Sequence, residues 1–244
     1  MLWLQGLGAD HTAWTVQMAH FARSYRCILP DSRDTGRSSR AGTGYGMRDL
    51  ASDALCVLDS ARVDRAHVVG LSMGASVAQH VALLAPERVR SLVLLSSFAR
   101  PDARLSSVVA FWPELYRRLG RVLFHRHAEG WMFSPSYFEE PANPRALRRY
   151  IEADRHPQEP DDFARQVEAA LAHDTLEQLG DVEVPALVVH GELDILVPKT
   201  LGEQLARALP NARFELRRGV AHSVNLEQQR PFNGLLEAFF RAQR

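Results

Sequence analysis

Short apolar runs alternate with longer amphipathic ones through most of the chain. Residues 2–4, 27–30, 67–71, 89–96, 186–190 and 213–216 read as strands. Residues 11–23, 49–61, 73–84, 200–209 and 228–241 read as helices, the third stopped by Pro86. The strand runs are rich in Val, Ile and Leu without polar alternation, as expected for strands buried on both faces. Strand–helix alternation predicts an α/β fold, a mostly parallel sheet of about six strands wrapped by helices through right-handed crossovers.

The stretch from about Arg100 to about Leu179 breaks this rhythm. It has no strand run, a helical pattern, seven prolines from Pro101 to Pro160, and the aromatics Trp112, Phe124, Trp131, Phe133, Tyr137 and Phe138. It is too long for a plain loop. The expected organisation is therefore a core from 1–99 and 180–244, with a helical cap over 100–179.

Composition adds exclusions. With 244 residues, 46% hydrophobic and 24% charged, the chain suits one globular domain with an insertion. Lys+Arg and Asp+Glu balance at 29 each, so no nucleic-acid partner is expected. The pairs Arg117-Arg118 and Arg148-Arg149 read as solvated helix faces. Cys27 and Cys56 read as buried free thiols, compatible with a reducing compartment. No signal peptide is visible, and no apolar run approaches the roughly 20 residues of a membrane span. A cytoplasmic protein with no membrane partner is the expectation.

The chemistry centres on Gly70-Leu71-Ser72-Met73-Gly74. This motif follows a predicted strand and opens a predicted helix. A turn that sharp strains its central residue and needs small flanking residues. It would lift the Ser72 hydroxyl above the carboxyl end of the sheet, where ligands bind in such folds. A serine hydroxyl needs a general base, and the base needs an orienting carboxylate. Asp194, in His190-Gly191-Glu192-Leu193-Asp194, and His222, in Gly219-Val220-Ala221-His222-Ser223, each follow a predicted strand. Glu192 is the fallback acid. The N–H groups of Met73 and of Leu7, in Gln5-Gly6-Leu7-Gly8, are the candidate oxyanion donors. Of the ten histidines, His11, His20, His125, His127, His156 and His173 read as structural or surface residues. His125 and His127 have no carboxylate or cysteine at ligand spacing. No metal and no cofactor are expected.

Together these residues resemble the α/β-hydrolase superfamily, whose order is serine, acid, histidine. Within it the chain is similar to small capped carboxylesterases and 3-oxoadipate enol-lactonases. The resemblance is carried by Gly6-Leu7-Gly8 with Trp14, Asp31-Ser32-Arg33-Asp34-Thr35-Gly36-Arg37-Ser38, the Ser72 motif, and the segments holding Asp194 and His222. The cap run Trp131-Met132-Phe133-Ser134-Pro135 is a weaker match. There are three departures. Gln5 stands where the family has His, Asp34 stands where it often has Gly, and the family's first two strands are missing. The last leaves residues 27–30 on an uncovered edge: either a second copy pairs there as a homodimer, or the start codon is misplaced, or the edge stays bare.

The resemblance implies a serine hydrolase cleaving a carboxylic ester of a small, partly apolar substrate through an acyl-enzyme. Serine at position 72 disfavours the superfamily's dehalogenases and epoxide hydrolases, which use Asp there. Phe98, Trp112, Trp131, Phe133 and Val197 are the expected substrate-binding residues. The alternative is an enol-lactone hydrolase, with Arg145, Arg148 or Arg149 meeting a substrate carboxylate. A non-catalytic small-molecule receptor on the same fold is the reading from a different class.

Overall fold

The computed structural model describes residues 1–243. At its centre is an all-parallel, five-stranded sheet in the order β1 (Leu2–Leu4), β2 (Ala66–Leu71), β3 (Val89–Leu95), β4 (Ala186–Gly191) and β5 (Ala212–Arg217). The connections carry α1 (Thr15–Phe21) and α2 (Met47–Ser60) after β1, and α3 (Met73–Leu84) after β2. Between β3 and β4 lie α4 (Ala103–Ala110), α5 (Trp112–Met132), α6 (Pro135–Glu139), α7 (Ala142–Glu152) and α8 (Pro160–Leu171). Then come α9 (Lys199–Ala208), α10 (Val224–Glu227) and α11 (Gln229–Arg241). No described helix is long and apolar enough to cross a membrane.

The strands divide their side chains between two cores. Val68, Leu92, Leu94 and Val188 pack with Leu50 and Leu58 of α2 and Val77 and Val81 of α3. Val69, Val93, Leu95 and Val189 face the other way, onto Trp3, Phe21, Phe232 and Phe240. Side chains alternate faces along a strand, and here both faces are covered. That double burial is why the strand runs show no polar alternation.

Residues 27–30, expected as a sixth strand, form only a parallel bridge between Ile28 and Leu2. Ile28 N–H donates to Met1 O at 2.8 Å, and Trp3 N–H donates to Ile28 O at 2.9 Å. The run meets β1 at this one bridge, and Pro30 brings no N–H to extend a ladder. The segment expected as helix 11–23 also divides. Asp10 accepts the Thr12 N–H at 2.9 Å and starts a 3-10 turn, His11–Trp14, ahead of α1. Cys27 and Cys56 are free, but Cys56 is exposed rather than buried, away from the face of α2 that buries Ala51, Ala54 and Leu58.

The five helices between β3 and β4 have an apolar centre of their own. Tyr116 stacks on Phe163 with centroids 4.6 Å apart, and Phe124 meets Phe163 edge-on at 5.1 Å. Helix α5 bends at Gly120, whose φ of +71° is outside the helical region. Asp102 caps α4 by accepting the Leu105 N–H at 2.7 Å. Arg148, expected on a solvated face, pairs with the buried carboxylate of Glu129 at 3.1 Å.

Candidate active site

Strand β2 delivers Ser72 into a left-handed backbone conformation, φ +53° and ψ −117°. Such a conformation at a non-glycine residue costs about 1–3 kcal/mol and persists only where its surroundings impose it. They do so here. Ser72 N–H donates to Leu95 O at 2.8 Å, and Ser72 O accepts the Ala75 and Ser76 N–H groups at 2.9 and 3.2 Å to start α3. A Cβ on Gly70 would lie 2.3 Å from Gly74 O, and one on Gly74 would lie 2.2 Å from Leu4 O. The two glycines thus let β2, α3 and β1 cross at the turn.

Asp194 and His222 lie past the carboxyl ends of β4 and β5. His222 Nδ1–H donates to Asp194 Oδ2 at 2.7 Å, and both side chains are buried. Asp194 Oδ1 accepts the Leu196 and Val197 N–H groups at 3.0 and 2.9 Å, so the carboxylate is held in one orientation. With Nδ1 committed to the carboxylate, Nε2 of a neutral ring carries the lone pair. The two loops touch, since a Cβ on Gly191 would lie 2.0 Å from Ala221 O. Glu192, in contrast, is exposed and accepts the Gly219 N–H at 3.0 Å.

The His222 loop is pinned from three sides. Ser96 Oγ donates to His222 O at 2.7 Å. Glu227 Oε1 accepts the Ala221 N–H at 2.9 Å, and its Oε2 accepts the Ser134 N–H at 3.1 Å. Ser223 N–H donates to Met132 O at the end of α5, at 3.0 Å. His190 lies beside the pair, its Nε2 2.7 Å from Val197 O and 3.5 Å from Asp194 Oδ2. Burial holds its pKa below the usual histidine value, so the neutral ring donates to Val197 O. Among the described residues, the Ser72 hydroxyl is not hydrogen-bonded to His222, whose ring is engaged by Asp194. Such bonds are often long in ligand-free sites and tighten around substrate.

The loop after β1 passes directly by Ser72. A Cβ on Gly6 would sit 3.6 Å from Ser72 Cβ. Ala9 N–H closes a turn onto Gly6 O at 3.3 Å, and Gly8 N–H donates to Gln166 Oε1 at 3.1 Å. The N–H groups of Leu7 and Met73 take no partner among the described residues. Gln5 is buried and donates to Ser32 Oγ at 3.4 Å, bracing the loop where the family has histidine.

Phe98, Trp112, Trp131 and Val197 share one apolar cluster with Leu7. Phe133 lies outside it and stacks on Tyr137 at 3.9 Å. Arg148 is taken by Glu129, while Arg145 and Arg149 are exposed. Both polar atoms of the buried Gln158 amide lack hydrogen-bond partners among the described residues. Gln158 Oε1 would be 3.8 Å from a Cβ on Gly8. No local pattern marks Gln158, Gln166 or Glu227, each of which has a neighbour distant in sequence. A concavity of about 610 Å³ between Arg40, Arg117, Asp161 and Arg165 includes none of the expected site residues. Asp10, His11 and Asp31 bring ligand-type atoms within 4.8 Å of one another. Those atoms are hydrogen-bonded among themselves and to nearby backbone, His11 Nδ1 to Asp31 Oδ1 at 2.7 Å.

The sequence matches the family model of the alpha/beta hydrolase fold over residues 1–229. It is 31% identical over 236 residues to the "Putative carbamate hydrolase RutD" of Azorhizobium caulinodans, covering 96% of this chain and 88% of that one. The enol-lactonase of Burkholderia xenovorans LB400 superposes with a TM-score of 0.87 at 25% identity, covering 98% of this chain and 90% of the other. A thermophilic esterase of Thermogutta terrifontis shares the fold, with a TM-score of 0.88 at 24% identity over 99% and 89% of the two chains. The five-stranded parallel sheet, its inserted helices and these likenesses agree: the chain belongs to the alpha/beta hydrolase fold family.

Proposed function

We propose that the protein hydrolyses a carboxylic ester of a small, partly apolar substrate through an acyl-enzyme on Ser72. The observation that carries the reading is the 2.7 Å hydrogen bond from His222 Nδ1 to Asp194. It commits the ring to the tautomer whose Nε2 can accept a proton. His222 Nε2 takes the Ser72 proton as Oγ bonds to the carbonyl carbon. The negative charge that develops on oxygen meets the unpartnered N–H groups of Leu7 and Met73, each such donor being worth about 2.7–4 kcal/mol. His222 then protonates the leaving oxygen. With the alcohol gone, it removes a proton from water as that oxygen bonds to the acyl carbon, and returns the proton to Ser72 Oγ as the C–Oγ bond breaks and the acid leaves. The apolar cluster around Phe98, Trp112, Trp131 and Val197 supplies the wall for the acyl or leaving group.

A second reading is hydrolysis at a carbamate carbonyl. The Azorhizobium relative carries that activity in its name. The unpartnered Gln158 amide favours it, because it offers one acceptor and two donors to a group with the same needs. Lonely buried amides are costly, and a substrate carbamate would relieve the cost. The enol-lactone reading loses one of its cationic candidates, because Arg148 is already paired.

A fluorophosphonate probe and a panel of neutral esters, aryl carbamates and carboxylate-bearing lactones test the proposal together. The expected outcome is covalent labelling of Ser72 and fastest turnover of neutral esters. Fastest turnover of carbamates selects the second reading. Labelling without turnover of any class points instead to a receptor.

A further inference from the structure

The turn that carries the Leu7 N–H is held from the cap. Gln166, on α8, is fully buried, and its Oε1 accepts the Gly8 N–H at 3.1 Å. Its Nε2 donates to Arg33 O at 3.5 Å, so the same amide also reaches the loop that carries Asp34. Within the turn, Gly6 O takes the Ala9 N–H and Gln166 takes the Gly8 N–H. The Leu7 N–H, like the Gly6 N–H before it, has no partner among the described residues. Gly8 has a φ of +72°, and a Cβ there would be 3.2 Å from the Phe163 ring, so the peptide is also packed against α8.

We propose that Gln166 is a positioning residue for the oxyanion hole. By holding the Gly8 N–H it decides which amide of the turn stays free to meet charge developing above Ser72. Without it the Leu7–Gly8 peptide must turn to find another acceptor, because a buried unpaired N–H is unfavourable. The seat of α8 against the core is thereby coupled to the chemical step. The inference rests on the Ser72 hydrolase reading given above.

Gln166→Met removes the amide at nearly constant volume, and Gln166→Glu keeps an acceptor for Gly8. On p-nitrophenyl acetate, Gln166→Met is expected to lower kcat roughly 10- to 100-fold, the range for a misplaced donor. KM should stay within about 3-fold, because the bond acts in the transition state. Affinity for an aryl boronic acid, whose tetrahedral adduct presents the oxyanion, should fall by the same factor as kcat/KM. Affinity for the product acid should not change. Gln166→Glu should recover most of kcat. Tyr150→Phe controls for a loosened cap, since it removes a cap–core contact to Asp10 at 3.3 Å that engages none of the turn's own N–H groups. It should leave kcat and boronate affinity unchanged.

The proposal is overturned if Gln166→Met retains wild-type kcat and boronate affinity, or loses no more of them than Tyr150→Phe does. A rise in KM with kcat unchanged also overturns it. If Gln166→Met does not fold, Gln166→Glu against Gln166→Asn decides. The shorter amide cannot reach Gly8 and should lose kcat, and equal kcat in the two contradicts the proposal. Failure of the fluorophosphonate probe to label wild-type Ser72 removes the parent reading. Normal labelling with an unaffected Gln166→Met counts against this inference alone.

Discussion

Arg165 of α8 grips Asp34 across the boundary between cap and core, Nε to Oδ2 at 2.9 Å, with the Asp34 side chain fully buried. Asp34 occupies a left-handed conformation, φ +69°, at the position where the resembled family often has glycine. Its Oδ1 also accepts the Ala41 N–H at 2.6 Å. The aspartate therefore exchanges a backbone strain for a tie to the cap. Arg165→Met leaves that carboxylate buried without its cation and should cost on the order of 3 kcal/mol. For a chain of this size that is a fall in Tm of roughly 6–12 °C. Asp34→Gly relieves the strain and leaves Arg165 with Asp162, so calorimetry should show a smaller fall than Arg165→Met gives.

Gly191 marks the contact between the loops that carry Asp194 and His222. A Cβ placed there meets Ala221 O at 2.0 Å, and backbone cannot yield without moving the neighbouring His222. Gly191→Ala should reduce kcat at least about 100-fold through misplacement of the ring. The far-UV circular dichroism should remain close to wild type. Wild-type kcat would show that the loops separate without consequence.

Asp194→Asn keeps the shape of the side chain but replaces the acceptor facing His222 with an ambiguous amide. The ring can then adopt the other tautomer, with its proton on the nitrogen that should accept. The expected loss in kcat is about 10³- to 10⁴-fold with the fold retained. Measured beside it, Glu192→Gln should stay near wild type, because Glu192 faces solvent and holds Gly219.

Acid should weaken the fold well before the carboxylates titrate. Burial, with His80 adding to it, pushes the His173 pKa down to about 3. His80 lies 3.2 Å away and is also lowered, by burial and then by Arg48. Asp174 beside His173 opposes the shift without cancelling it. In the unfolded chain both rings titrate near 6.5. Below that pH the unfolded state binds protons that the native state refuses. The stability from these neutral rings is complete above about pH 6.5 and is lost as pH falls toward about 3. Tm should drop between pH 7 and 5, and His173→Gln should make that drop shallower. An unchanged slope in the variant contradicts the assignment.

Local pattern sufficed where neighbours in sequence are neighbours in space. Helix α3 spans the predicted residues because the glycines of the Ser72 motif fix its start and Pro86 follows its end. Residues 27–30 carry a strand's composition, yet a ladder depends on how many residues run alongside a neighbouring strand, which composition does not encode. The cap was legible as helical, but its internal bend was not. A single glycine at 120 bends α5 whereas Gly130 does not, and only the backbone angles separate them. Gln166 reads as one more polar residue of an amphipathic helix. What distinguishes it is a hydrogen bond to a residue 158 positions away. Glu227 is similar, joining the His222 loop to Ser134 across 93 positions.

The proposed hydrolysis stands or falls with Ser72 as its nucleophile. Steady-state turnover of p-nitrophenyl acetate by Ser72→Ala, compared with wild type at equal folded concentration, tests it most directly. Turnover should fall to the rate in buffer, or at most to a residual of roughly 10⁻⁴ of wild type, with Tm close to wild type, because alanine keeps a Cβ and with it the same strained backbone at position 72. Turnover by Ser72→Ala at the wild-type rate would contradict it.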